Sequence, residues 1–132
     1  MVSKEVAKEA LDSFYDYYEI DMNDLDDDLK MAVAGEVQRK LIKALQSGRL
    51  QISGASVKQT LKNPPGEVTE ITYGELTGKA KIAMKGKAEA DHYGRIYALL
   101  GSLSGLGETA ITGLKGPDLS LAECVGVLFL QV

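Results

Sequence analysis

Twelve residues, "LAECVGVLFLQV" at 121–132, constrain this chain more than any others, because nine are apolar and Glu123 alone is charged. Such a segment fits a membrane anchor, a core helix or a surface made for another protein. Spanning a bilayer takes about 20 consecutive apolar residues, and this run is broken at Glu123 and again at Gln131. Its dimensions exclude a span. Leu121, Val125, Leu128 and Phe129 recur at i, i+4, i+7 and i+8, one face of a helix. Pro117 suits a first helical turn, and Ser120 with Glu123 three residues on has the form of a capping box. The pattern predicts a helix over about residues 117–130. Leu119, Val127 and Leu130 fall off its stripe, so the helix is apolar nearly all round and a second face wants covering. Core and partner surface both stay open at this point.

At 132 residues and 45% apolar, the chain fits one domain, 1–132, able to bury roughly two thirds of the surface its unfolded form exposes. A single cysteine, Cys124, excludes an internal disulfide, and the charged opening "MVSKEVAKEA" does not resemble a signal peptide. The expected location is the cytoplasm.

Periodicity organises the rest. From Ser3 to about Tyr18 a helix places Val6, Ala7, Ala10, Leu11, Phe14 and Tyr18 on one side. Asn23 can cap a second helix, in which Leu25, Leu29, Val33, Val37, Leu41 and Leu45 recur every four residues until "SGR" stops it. Residues 1–48 thus read as a helical N-terminal extension. In 49–132 alternation takes over: Leu50 and Ile52, then Val57, Gln59 and Leu61, a break at "NPPG", and "EVTEITY". These are two or three short antiparallel strands with a turn at residues 63–66. A helix over about 88–103 turns Ile96, Leu99, Leu100 and Leu103 inward, and the glycine-rich "GSLSGLGETAITGLKG" leads to the last helix. The predicted fold class is α+β: N-terminal helices, a small antiparallel sheet, C-terminal helices.

Charge is uneven. Residues 1–31 hold ten Asp/Glu against three Lys, whereas residues 36–95 hold eleven Lys/Arg against six Asp/Glu. The acidic "NDLDDD", 23–28, sits where carboxylates favour the positive end of a helix dipole. It is no EF-hand: counted from Asp21, Leu25 takes the fifth position, Asp26 the glycine position and Ala32 the twelfth. No metal site is expected. Lys79, Lys81, Lys85 and Lys87 could neutralise phosphates while Tyr93 or Tyr97 stacks on bases. Yet the net charge is −4, and no recognition motif is readable. The segment reads instead as a solvated, mobile loop able to meet an acidic protein surface.

Catalytic arrangements are sparse. His92 is the one histidine, and Cys124 falls in an apolar helix, where a thiol is packing rather than a nucleophile. "GLGETA", 105–110, matches a dinucleotide fingerprint in letters, but that motif needs a strand before it and a helix after it. A helical pattern precedes it here, so it reads as a flexible helix-to-helix connection. No catalytic residue or cofactor is expected, and the chain is read as a non-enzyme.

One ordered set of segments remains: "VKQTLKNPPGEVTEITYGELTG", then "GRIYALLGSLSGL", then "ITGLKGPDLSLAECVGVLFL". It resembles the tail assembly chaperones of contractile-tailed, Mu-like bacteriophages. Their pattern combines an L-x-x-P segment, an x-G-E/R-L step, a leucine-rich helix and an L-x-x-x-D-L run ending near F-L. The matching positions are 61–64, 74–76, 96–103, 114–119, and Phe129 with Leu130. The resemblance spans about residues 57–132, with the helical extension outside it. It implies a phage or prophage protein that binds another chain, the tape-measure protein, during tail assembly in the host cytoplasm. The residues expected to meet a protein partner are Leu119, Val127 and Leu130 off the helix stripe, Tyr15 from the Tyr15, Tyr17 and Tyr18 cluster, and Lys81 and Lys85. A homo-oligomer is a further possibility. The alternative is a nucleic-acid-associated accessory protein using residues 79–87.

Overall fold

A computed structural model describes residues 2–20, 33–88 and 90–132. In chain order the elements are α1 (Lys4–Tyr17), a helical turn (Val33–Val37), α2 (Gln38–Ser47), β1 (Leu50–Ser53), β2 (Ser56–Thr60), β3 (Glu70–Tyr73), α3 (Gly78–Lys85), α4 (His92–Ser104), α5 (Glu108–Thr112) and α6 (Gly116–Leu130). The architecture is α+β, with helices on either side of the strands in sequence.

α1 begins where Ser3 Oγ accepts from the Val6 amide, and it buries Ala7, Leu11, Phe14 and Tyr15. Val6, expected inward, is 48% exposed. It lies about 100° round the helix from Ala7, outside the stripe that faces the core. The proposed cap Asn23, the repeat leucines Leu25 and Leu29, and the acidic 23–28 run lie outside the described residues. Where the second helix is described it is not continuous: Gly35, at φ −93° and ψ −131°, kinks the chain ahead of α2. α2 then buries Leu41, Ile42, Ala44 and Leu45 and ends on Gly48 at φ +83°. Only glycine adopts that conformation without steric cost.

The sheet runs in the order β1-β2-β3, antiparallel throughout. Alternation sets its two faces. Leu50, Val57, Gln59, Ile71 and Tyr73 are buried on one, while Gln51, Thr60, Glu70 and Thr72 are exposed on the other. Gln59 is tolerated in the core because both ends of its amide are used: Nε2 donates to the Asp118 carbonyl at 2.9 Å and Oε1 accepts from the Tyr73 hydroxyl at 2.8 Å.

Two expected loops are helical. Residues 78–85 form α3 because Thr77 accepts from the Ala80 amide, Ala80 is buried, and alanine, lysine and methionine all favour the helix. Within the glycine-rich connection, residues 108–112 form α5. That segment is no slack linker. A β-carbon on Gly101 would come within 2.5 Å of the Glu108 amide nitrogen, so α4 and the start of α5 touch backbone to backbone. α4 begins at His92 rather than near residue 88, since Asp91 accepts from the Gly94 amide and fixes the start there.

α6 packs against α2 and α4. A β-carbon on Gly126 would come within 2.5 Å of Ile96 Cγ2, so the absent side chain sets the approach of α4. Leu121, Val125, Leu128 and Phe129 are all buried, and Phe129 meets the Phe14 ring edge-on at 5.2 Å. Pro117 occupies the first turn as expected, but the capping box does not form. Lys115 is the cap residue without a side-chain bond, and Ser120 Oγ accepts from Lys40 Nζ instead.

Candidate functional site

The first turn of α6 holds a tightly constrained polar group. Asp118 is fully buried. Its carboxylate accepts from the Lys62 and Asn63 amides, each at 2.8 Å, and from Arg49 Nη2 at 3.1 Å. Through its carbonyl it also holds Gln59, and thereby Tyr73, whose hydroxyl is pushed to higher pKa mainly by burial. Every part of this cluster binds another part of the fold. The L-x-x-P and D-L segments singled out in the sequence meet here, and the arrangement joins the loop after β2 to α6. Arg49, its side chain 32% exposed, reaches the surface, where it lines a cleft of about 400 Å³ with Pro117 and Ser120. Nothing in the spacing of Asp118 and Lys62 foretold it; the one available signal was an aspartate at a helix start, which the dipole alone would account for.

The other end of α6 is open. Leu130 shares a cleft of about 270 Å³ with Lys81 and Lys85 of α3, over a floor that includes Met84, Leu99 and Phe129. Lys81 also borders an adjoining depression lined by Tyr17, Tyr18, Glu75 and Leu76. The two meet at Leu76, Lys81 and Val132. The tyrosines are anchored there. Tyr18 Oη donates to the Ala55 carbonyl at 2.7 Å and accepts from the Leu76 amide at 3.1 Å, while Tyr17 Oη donates to Glu75. That last bond keeps the Tyr17 hydroxyl protonated to higher pH than usual.

Of the six residues expected to meet a partner, the structure brings three together: Leu130, Lys81 and Lys85. Leu119 and Val127 are half-buried and packed against the core, away from the cleft lining. Tyr15 is 7% exposed and offers no ring surface to a partner. Leu76 and Met84 belong to the open region but were not expected to meet a partner, and Tyr17 of the tyrosine cluster lies there where Tyr15 does not. Ile82, on the same helix as the lysines, is 72% exposed.

Other candidate groups are scattered. His92 is exposed and lies against Tyr93, whereas Cys124 is buried, with its thiol pushed up chiefly by that burial. No hydrogen bond joins the two among the described residues. Tyr93 stacks on Tyr97 at 6.2 Å and is itself 60% exposed. The four lysines do not form one strip: Lys87 pairs with Glu108 at 3.0 Å, and Lys79 falls roughly opposite Lys81 and Lys85 around α3. Among the described residues no three His, Cys, Asp or Glu side chains gather as a metal site, and no helix is long and apolar enough to cross a membrane. No family model, no curated protein and no solved structure matches the chain.

Proposed function

We propose that the chain is a non-catalytic phage or prophage protein that binds another polypeptide during tail assembly, as a chaperone of the tape-measure protein in the host cytoplasm. The observation that carries this reading is the convergence of Leu130, Lys81 and Lys85 on one cleft with an apolar floor. An apolar floor with a cationic rim suits an apolar segment flanked by carboxylates; the rim steers encounter and the floor supplies affinity. The test is co-expression with a phage tape-measure protein. A soluble, stoichiometric complex that is lost in a Lys81→Glu, Leu130→Gln double variant supports the reading. Insolubility of the tape-measure protein regardless of the chain, or a complex indifferent to the double variant, overturns it.

A further inference from the structure

β3 is an edge strand, and its register decides which backbone groups it leaves free. The Leu61 amide donates to the Thr69 carbonyl at 2.8 Å, so residues 69, 71 and 73 direct their hydrogen-bonding groups at β2. Glu70, Thr72 and Gly74 direct theirs outward. Gly74 is satisfied, because its amide donates to the Leu103 carbonyl at the end of α4. For Glu70 and Thr72 no outward partner exists among the described residues. This bare edge borders a groove of about 280 Å³, walled by Val68 and Ile71 on the strand side and by Leu106, Ala110 and Leu114 on the other. Val68 and Leu106 are each 45% exposed. The volume falls just under the usual range for small-molecule sites, roughly 300–1,000 Å³, and it matches side-chain anchors better than a cofactor.

We propose that the outer edge of β3 and the groove beside it take an extended segment of another polypeptide, apolar at alternate positions and carrying lysine or arginine between them, as a fourth strand of the sheet. The free N–H and C=O groups demand an extended backbone, and the groove takes alternate side chains. Glu67 is the one charged residue on the groove walls among the described residues, whereas Glu70 on the edge is already paired with Lys58 at 3.5 Å, so it is Glu67 that favours a basic segment. A second copy of this chain is the poorer occupant. Antiparallel pairing of two β3 edges would bring both copies of Glu67 into one interface, where like charges oppose pairing. The proposal rests on the reading of the protein as a polypeptide binder, but on different residues.

The experiment measures fluorescence anisotropy of a labelled peptide, Lys-Val-Lys-Val-Lys-Val, against the full chain. The expected result is saturable binding, about tenfold weaker for a peptide N-methylated at alternate residues, as the loss of one or two backbone hydrogen bonds implies. Replacement of the lysines by glutamate should weaken it as well. Val68→Asp and Leu106→Asp should abolish binding while leaving the chain folded, with a cooperative thermal melt, since both side chains already meet solvent. No binding of the parent peptide, equal affinity for the N-methylated one, or indifference to both variants overturns the proposal. Peptide binding should persist in the Lys81→Glu, Leu130→Gln variant, which separates this site from the cleft at the end of α6. Loss of binding in that variant alone would place the peptide in the cleft and overturn the edge assignment.

Discussion

At its first turn α6 carries a fully buried carboxylate that accepts three hydrogen bonds, whereas at its last turn it carries Leu130, half-buried beside a lysine-rimmed cleft. One helix therefore closes the fold at one end and leaves apolar surface at the other. The contrast separates two uses of a segment whose composition looks uniform. Where a buried carboxylate is held by three donors, change is expressed as instability. Where apolar atoms are only half covered, change is expressed as altered association.

The largest effect expected is at the closed end. Asp118→Ala leaves the Lys62 and Asn63 amides and the Arg49 guanidinium without their acceptor, and should lose about 4 kcal/mol, the scale seen when one partner of a buried pair is removed. Chemical denaturation checks it; a loss near zero would mean that water replaces the carboxylate and that the two ends do not differ. Phe129→Ala should fall in the same range, about 3–5 kcal/mol, through the cavity left beside Phe14.

Alkaline pH should strain both regions, and tyrosine-to-phenylalanine variants can apportion the effect. Burial raises the Tyr15 pKa from 10.0 to about 12, and it raises that of Tyr73 in the Asp118 cluster as well. A folded-state pKa above the unfolded value means that stability is fully present below pH 10 and is lost as pH rises toward 12. Thermal melts across that window should fall for the parent chain and fall less steeply for Tyr15→Phe and Tyr73→Phe.

At the open end the changes should be milder for folding. Val127→Ser with Leu130→Gln should lose about 1–2 kcal/mol, because both side chains touch the core without being enclosed by it. Sizing should then report loss of association in a still-folded protein. Unfolding on the scale of Phe129→Ala would make the whole of α6 interior and erase the contrast. Smallest of all, His92→Gln should shift stability by no more than about 0.5 kcal/mol, because the side chain is exposed and the cap bond at the start of α4 is made by Asp91. A loss of partner binding in that variant would point to a surface on α4 instead.

Much of the fold could be read in advance because it depends on period. The α6 stripe, the α1 and α2 faces and the alternation of β2 and β3 all follow from spacing, and the inward placement of Gln59 was visible in that alternation. Tyr15 shows how a legible position can be misread: it stands four residues after Leu11 and eight after Ala7, in register with the buried face, yet aromatic chemistry suggested a surface anchor. The lysines of α3 concealed a helix whose start depends on a single Thr77 bond. The site was less legible still. Lys81 and Leu130 are brought to one cleft by tertiary packing, and the Asp118 cluster depends on contacts that no local pattern encodes.

The Asp118 carboxylate also bears on the order in which the chain assembles. Its bonds to Asn63, Lys62 and Arg49 span 55, 56 and 69 residues. Such contacts require closure of long loops before any of their stabilisation is realised, which slows folding relative to helices and hairpins that form between neighbours. The β1-β2 hairpin and the individual helices can form first, and docking of the α6 N-terminus is the step that must wait. A bond formed after the rate-limiting barrier is lost mainly as faster unfolding. If the aspartate docks after that barrier, Asp118→Ala is expected to speed unfolding more than it slows refolding, and the carboxylate then sets how long the native chain persists.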